Sequence, residues 1–205
     1  MNKKVILIGN GVHAKVVADI ILLNNDEIVG FIVEEKYGTD NILGLQWLGD
    51  FSAIEKYRQT CEFILAMGDN LIRKKIADCY KLSWYTAIHP RAVVDTTSKI
   101  GVGSCIMANA VINSCALIGE HCILNTGSIV EHDCQVGNYC HLSPNSTLCG
   151  SVQLGSLVHV GAGATIINNI LVSSEVILGA GSCVIHNIKE SGTYVGVPVK
   201  KLIKC

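Results

Sequence analysis

From residue 88 to residue 184 every sixth position is aliphatic without a break, beginning Ile88, Val94, Ile100 and ending Val172, Leu178, Val184. Four residues after most of these stands a small side chain: Ala92, Ser98, Ser104, Ala110, Ala116, Cys122, Ser128, Cys134, Cys140 and Ser146, then Ala164 and Ser182. A helix repeats at about 3.6 residues and an ordinary strand at about 2, so neither accounts for a strict six. Six is the period of a parallel β-helix, whose short strands turn a corner once per hexad. The aliphatic residue fills the interior, and the small one fits where the turn is tight.

The preceding residues follow another pattern. Residues 4–8 form a short apolar run, followed by Gly9-Asn10-Gly11-Val12-His13-Ala14, a G-x-G-x-x-A turn. Val12, Val16, Val17, Ile20 and Ile21 then recur at helical spacing, and a second apolar run, 27–33, ends in Glu34-Glu35. This is the β-α-β nucleotide-binding arrangement. Gly9 permits the sharp turn, Gly11 lets a phosphate approach the backbone, and helix-terminal N–H groups face the anion. An acid after the second strand accepts hydrogen bonds from a sugar or base. A plain strand–helix turn is the alternative for the glycines, and a solvated helix-start residue is the alternative for His13.

Residues 52–55 read as a capping box for a short helix, residues 63–67 as a third strand, and Gly68-Asp69-Asn70 as the entry to a helix carrying Arg73, Lys74 and Lys75. Only one half of a dinucleotide fold fits before the repeats. That argues against a nicotinamide dehydrogenase and for a mononucleotide or nucleotide-sugar site. The expected organisation is an α/β half-Rossmann domain over 1–86 and an all-β parallel β-helix with a C-terminal extension over 87–205.

Composition sharpens this picture. Of 205 residues, 49% are hydrophobic but only 5% aromatic, which suits narrow coils filled by Val, Ile and Leu. A net charge of −1 gives no broad attraction to nucleic acid or anionic membrane. No apolar run approaches the ~18 residues needed to span a bilayer. The start is too short for a signal-peptide apolar region, so a cytoplasmic location is expected. Ten cysteines include no C-x-x-C pair. Cys122, Cys134 and Cys140 fall in the small-residue register, so reduced structural thiols are expected. The spacing of His121, Cys122, His132, Cys134, Cys140 and His141 matches no standard zinc site, and no metal is expected.

A β-helix interior is closed and dry, so chemistry belongs on its outer faces, and the polar exceptions mark candidates. Asn125-Thr126 and Glu131-His132-Asp133 lie one hexad apart, and His141 follows nine residues after His132. An outward imidazole flanked by carboxylates suits general-base work, because a neighbouring carboxylate fixes the tautomer and keeps the ring basic. The alternative is a bystander on the β-helix surface. His89, His121, His159 and His186 lack the acidic bracket and read as structural or incidental. Cys134 is a competing nucleophile by sequence proximity, but its register places it against the core.

Four segments carry a resemblance: residues 5–15 (VILIGNGVHAK), 66–74 (AMGDNLIRK), 124–137 (LNTGSIVEHDCQVG) and 194–200 (YVGVPVK). The chain resembles the hexapeptide-repeat sugar acetyltransferases of the PglD/NeuD type, which include bacillosamine-pathway N-acetyltransferases and sialic-acid O-acetyltransferases. The resemblance implies a left-handed β-helix, a known exception to the right-handed crossover rule. It also implies a homotrimer, with acetyl-coenzyme A in the groove between adjacent helices.

By the same resemblance His132 is the general base, Asp133 orients it, and Glu131 matches the acid before it. Asn125 touches the acceptor sugar. His141 lies near the acetyl group, with Gly150, Gly161 and Gly179 on the coenzyme side. Gly9, Gly11, His13, Glu34 and Glu35 hold the nucleotide, and Asp69 and Asn70 line the same pocket. The family often has aspartates where this chain has Glu34-Glu35, which leaves the nucleotide open. Lys200, Lys201 and Lys204 either approach the coenzyme phosphates or are solvated surface charge. The implied activity is N-acetylation of a nucleotide-linked amino sugar of the UDP-4-amino-sugar type. O-acetylation of sialic acid or another glycan sugar is the near alternative, and a non-catalytic nucleotide-sugar scaffold is the alternative of another class.

Overall fold

The computed structural model describes residues 2–35 and 44–203. The N-terminal unit is a parallel sheet of four strands in the order β3-β2-β1-β4, with β1 Lys4–Ile8, β2 Glu27–Ile32, β3 Trp47–Gly49 and β4 Glu62–Leu65. Three helices accompany it: α1 Val12–Leu23, α2 Ile54–Tyr57 and α3 Asn70–Cys79. β1 lies between two neighbours and is covered on both faces, so Val5, Ile6, Leu7 and Ile8 are all fully buried. That double burial is why β1 reads as an unbroken apolar run rather than an alternating one.

Two local expectations are corrected, and one strand is added. α1 buries Ala14, Val17, Ala18, Ile20 and Ile21, whereas Val12 is 81% exposed and Val16 is also exposed. Val12 opens the helix at the carboxyl ends of the strands and overhangs a cleft instead of joining the core. The short helical segment is capped by Asp50, whose carboxylate accepts from Ser52 N at 2.8 Å, so Ser52 is not the cap. β3 went unpredicted because three residues give no readable alternation.

The C-terminal unit is a three-sided prism of left-handed β-helix, one sheet to a side, parallel throughout except for the closing Lys200–Lys201 strand, which pairs antiparallel with Gly192–Val195. The first face stacks Ala87–Ile88, Cys105–Ile106, Ile123–Leu124, His141–Leu142, His159–Val160 and Val176–Leu178, then Gly192–Val195 and Lys200–Lys201. The second runs from Val93–Val94 through Ile129–Val130 to Cys183–Val184. The third runs from Lys99–Ile100 through Gln135–Val136 to Leu171–Val172. The chain visits them in that order, so strands eighteen residues apart pair, as Ile123↔His141 and Gln135↔Gln153 do.

The hexad aliphatics form one continuous core with the small register; Leu124, Val130, Leu142, Leu148, Val160 and Ile166 are fully buried. Burying each such side chain is worth about 1.5–3 kcal/mol. In the later coils the small register continues as Val152, Val158, Ile170 and Val176, also buried, so the interior admits larger side chains there. A third register marks the corners. Three residues after each aliphatic from Ile100 to Leu178 the backbone is left-handed, at Asn109, Cys115, His121, Asp133, Tyr139, Asn145 and onward, with Gly103, Gly127, Gly163 and Gly181 in the same phase. Such conformations are costly for L residues, and stacking compensates them. Asp133 N donates to Ser114 O at 3.0 Å and Tyr139 N to Glu120 O at 2.8 Å, each one coil away.

The N-terminal unit rests on the first face. One apolar cluster runs from Val5 and Ala14 through Tyr85 to Ala87, Cys105 and Ile123, so the outward side chains of the early coils are buried beneath it. Among the described residues, no helix is long and apolar enough to cross a membrane.

Candidate functional site

A cleft of about 810 Å³ opens at the carboxyl ends of β1, β2 and β4, where open α/β sheets bind ligands. Gly9, Gly11, His13 and Glu34 line it, with Ile8, Ile32 and Phe51 among its apolar walls. Gly9 has φ +110°, and a Cβ there would stand 2.9 Å from Met67 Cε, so the turn requires glycine. Nothing lies within 4 Å of a Cβ built on Gly11; that space is open to a ligand. Gly11 caps α1 without a side-chain hydrogen bond, and no acid occupies the first turn, so the helix N–H groups face the cleft unopposed. His13 Nε2 is buried without a partner among the described residues. Burial, and secondarily the Arg73 charge, lower its pKa to about 4, leaving a neutral ring.

Glu35 is exposed and stands outside the cleft lining. Asp69 and Asn70, expected in the same pocket, are also outside it and hold structure instead. Asp69 caps α3, accepting from Ile72 N at 2.8 Å. Asn70 Nδ2 donates to Leu157 O at 3.2 Å and Val158 O at 3.3 Å, tying α3 to the β-helix.

Past His13 the cleft meets the first face of the prism. The outward column reads Ala87, Cys105, Ile123, His141, His159, Ile177. It turns polar at His141, beside His13 of α1. The His141 ring lies 6.5 Å from that of His13 and 4.8 Å from that of His159. Asn125 Oδ1 accepts from Thr126 N at 2.8 Å, which turns Asn125 Nδ2 toward His141 Nε2 at 3.3 Å. An amide NH₂ only donates, so Nε2 is the acceptor and the neutral ring carries its proton on Nδ1, which is buried without a hydrogen-bond partner among the described residues. Burial, then His159, Arg73 and His13, lower the His141 pKa to about 3. His159, read from sequence as structural or incidental, stands in this group; Ser143 Oγ sits 3.0 Å from its Nε2.

His132 occupies another corner, between Ile129–Val130 of the second face and Gln135–Val136 of the third. Asp133 is left-handed at φ +59°, and its Oδ2 lies 2.8 Å from His132 Nδ1. Both side chains are more than half exposed. The other ring edge lies over Gly150 of the next coil, where a Cβ would come 2.6 Å from His132 Nε2. Gly150, expected on the coenzyme side, thus makes room for the imidazole. Glu131 is half-buried beside the corner, close enough to help raise the Cys134 pKa, which burial chiefly lifts to about 11. That shift leaves Cys134 a poor nucleophile.

Gly161 and Gly179 have stacking reasons to be glycine. A Cβ on Gly161 would stand 2.5 Å from Leu178 O, and one on Gly179 2.8 Å from Val195 Cγ1. Lys204 lies outside the described residues; Lys200 and Lys201 are exposed, and Lys201 pairs with Glu190 at 2.8 Å. Among the described residues no group of three or more His, Cys, Asp or Glu side chains is arranged to hold a metal ion.

Sequence reading missed Arg73 as a site residue. Its guanidinium is 1% exposed and donates to His121 O, Gly68 O, Asn70 Oδ1 and Tyr139 O at 2.8–3.1 Å, with longer contacts to Met67 O and Cys140 O. The signal lay in AMGDNLIRK, where the arginine falls one helical turn after the asparagine.

Residues 4–80 match the PglD N-terminal domain, and residues 115–150 and 133–168 match the bacterial transferase hexapeptide (six repeats). UDP-N-acetylbacillosamine N-acetyltransferase of Bacillus subtilis (strain 168) is 38% identical over 113 residues, 52% of this chain and 52% of that protein. The match spans about half the length of that curated relative. A histidine variant of perosamine N-acetyltransferase from Caulobacter crescentus, in complex with CoA and GDP-perosamine, superposes with a TM-score of 0.93 at 35% identity, over 98% of this chain and 97% of that one. The acetyltransferase domain of PglB from Neisseria gonorrhoeae FA1090, in complex with acetyl coenzyme A, gives 0.91 at 29% identity, over 98% and 100%. With both domain signatures and this end-to-end match, the chain belongs to the hexapeptide-repeat sugar acetyltransferases that carry a PglD-type N-terminal domain.

Proposed function

We propose that this protein transfers the acetyl group of acetyl-coenzyme A to the amino group of a nucleotide-linked amino sugar of the UDP-4-amino-sugar type, with His132 as general base. The carrying observation is the His132–Asp133 pair at an exposed corner, its far ring edge lying over Gly150. Asp133 Oδ2 accepts a hydrogen bond from Nδ1–H, which holds the neutral tautomer with its lone pair on Nε2. Nε2 takes a proton from the acceptor amine as its nitrogen attacks the thioester carbonyl. The C–N bond forms, the C–S bond breaks, and coenzyme A leaves as its thiol with that proton. Backbone N–H groups of the corners stabilise the developing oxyanion, and most of the acceleration comes from holding the two substrates together.

Dividing the chain at residue 86, the first unit supplies the nucleotide cleft and the second the base. Within one chain the two are apart: the cleft abuts the first face, and His132 stands at the corner between the other two. The functional unit is therefore proposed as a homotrimer in which His132 of one copy meets the cleft, Asn125 and His141 of the next. All nine described cysteines are free thiols, which fits a cytoplasmic location. The solved relatives bind CoA and GDP-perosamine or acetyl coenzyme A, and these lend support to both substrate classes here.

The test offers acetyl-coenzyme A with UDP- and GDP-linked amino sugars and with sialic acid, read by mass spectrometry. The expected product is an amino-sugar nucleotide heavier by one acetyl group. His132→Ala should lower turnover at least ~10²-fold with the oligomer intact; near-normal turnover removes His132 from the role. Acetylation of sialic acid alone selects the hydroxyl reading. Thermal stabilisation by nucleotide with no product from any acceptor selects the scaffold.

A further inference from the structure

The Arg73 guanidinium is buried at the junction of the two units, and no carboxylate forms an ion pair with it among the described residues. Its partners are backbone carbonyls and one amide oxygen. On one side it donates to Gly68 O at 2.8 Å and approaches Met67 O at 3.4 Å, both residues of the cleft wall. On the other it donates to Tyr139 O at 3.1 Å, approaches Cys140 O at 3.3 Å, and donates from Nε to His121 O at 3.1 Å. Tyr139 and Cys140 lead directly into His141. Asn70 adds a second strut, receiving Arg73 Nη2 at 2.9 Å while donating to Leu157 O and Val158 O. Burial lowers the guanidinium to about 10, so it stays charged at neutral pH, and a buried charge spread over this many carbonyls has few tolerated positions.

We infer that Arg73 is a positioning residue for acetyl transfer, fixing the distance between the nucleotide cleft and the Asn125–His141 pair and so setting how far the amino sugar projects along the first face. The inference rests on the proposed acetyl transfer. A planar fork holds several acceptors at fixed angles, whereas an ammonium is a point charge with three rotatable donors. Binding a nucleoside diphosphate needs only the cleft. Placing the sugar amine needs the cleft in register with the prism, and a displacement of ~1 Å there can cost on the order of 10²-fold in rate.

Arg73→Lys keeps the charge and removes the fork. The expected result is a folded oligomer whose affinity for UDP or GDP stays within ~3-fold and whose KM for acetyl-coenzyme A stays within ~2-fold, while kcat with the amino-sugar nucleotide falls ~10-fold or more. Unchanged kcat overturns the inference. So does a uniform loss of kcat, nucleotide binding and coenzyme use in step with the folded fraction, which marks plain stabilisation. If Arg73→Lys does not fold, Asn70→Ala, which removes one strut, must show the same selective kcat loss on a smaller scale; a uniform loss there also overturns it. Hydrogen exchange provides a readout independent of turnover: protection should fall together at 67–70 and 139–141 and stay normal at 165–184. If the wild-type chain acetylates no amino sugar, the proposed function fails, and this exchange pattern alone decides whether Arg73 couples the two units.

Discussion

Gly150 offers a one-methyl test of the base. Its backbone is not left-handed, so alanine is sterically allowed there except for what it meets: His132 Nε2 at 2.6 Å and Asn168 Nδ2 at 3.2 Å. The His132 ring is more than half exposed and can swing outward at little folding cost, but it then leaves Asp133. Gly150→Ala is expected to lower kcat ~10-fold or more while shifting Tm by no more than a few degrees, since exposed rearrangements cost little stability. Steady-state kinetics beside calorimetry checks this; an unchanged kcat means ring orientation at this corner is unimportant. The buried histidines set a different residue-level effect. Burial first, then neighbouring charges, holds His13 and His121 at about 4 and His141 at about 3, against 6.5 when unperturbed, and lowers His159 as well. Between these values and 6.5 the unfolded chain binds more protons than the folded one. Stability is therefore complete above about pH 6.5 and is lost as pH falls toward 4. Tm should decline between pH 7 and 5, before carboxylates contribute much, and His141→Gln should flatten the slope. A Tm independent of pH over that interval contradicts neutral burial of these rings.

At the level of elements, legibility followed periodicity. Hexad aliphatics from Ile88 to Val184 gave the β-helix because each faces one shared interior, so each is constrained by the same geometry. The corner register was equally periodic but unread. Gly103, Asn109, Gly127, Asn145, Gly163, Asn169 and Gly181 favour left-handed backbone, yet Cys115, Leu157 and Glu175 interrupt the signal. Those residues are held because their backbone N–H groups donate to the coil before, at Thr97 Oγ1, Asn138 O and Ser156 O, a tertiary cause that no local preference encodes. β1, the glycine turn and α1 were legible for the converse reason, being local. The faults came where side chains serve something other than the local pattern: Val12 overhangs the cleft, Asp69 caps α3, and Asn70 ties α3 to the β-helix. The catalytic candidates were found as residue types; counting hexads in threes assigns each to a side of the prism, but which side the N-terminal unit covers is set by tertiary packing and is not written in the repeat.

The whole-molecule consequence is that the proposed site is divided between chains. The N-terminal unit covers the first face and holds the corner leading into it, through Arg73 at Tyr139 and Asn70 at Leu157. His132 stands at the corner that does not border the first face, so a sugar projecting from the cleft past His13 and His141 moves along the wrong side of its own prism. Two inactive chains should therefore complement. His132→Ala removes the proposed base and leaves the cleft. Gly11→Leu fills the cleft and leaves the base; nothing lies within 4 Å of its Cβ and the backbone there is extended, so it should fold normally. In the proposed trimer, assembled at random from equal amounts of the two, a cleft from the first variant meets a base from the second in about a quarter of the sites, given cyclic head-to-tail pairing. Co-expression should then restore roughly that fraction of wild-type turnover per site, although each variant alone is nearly inactive. If cleft and base acted within one chain, every site in the mixture would lack one of them and no activity would return. The two outcomes differ by far more than assay error, and the contrast holds whichever nucleotide the cleft prefers, provided one substrate is turned over by the wild type.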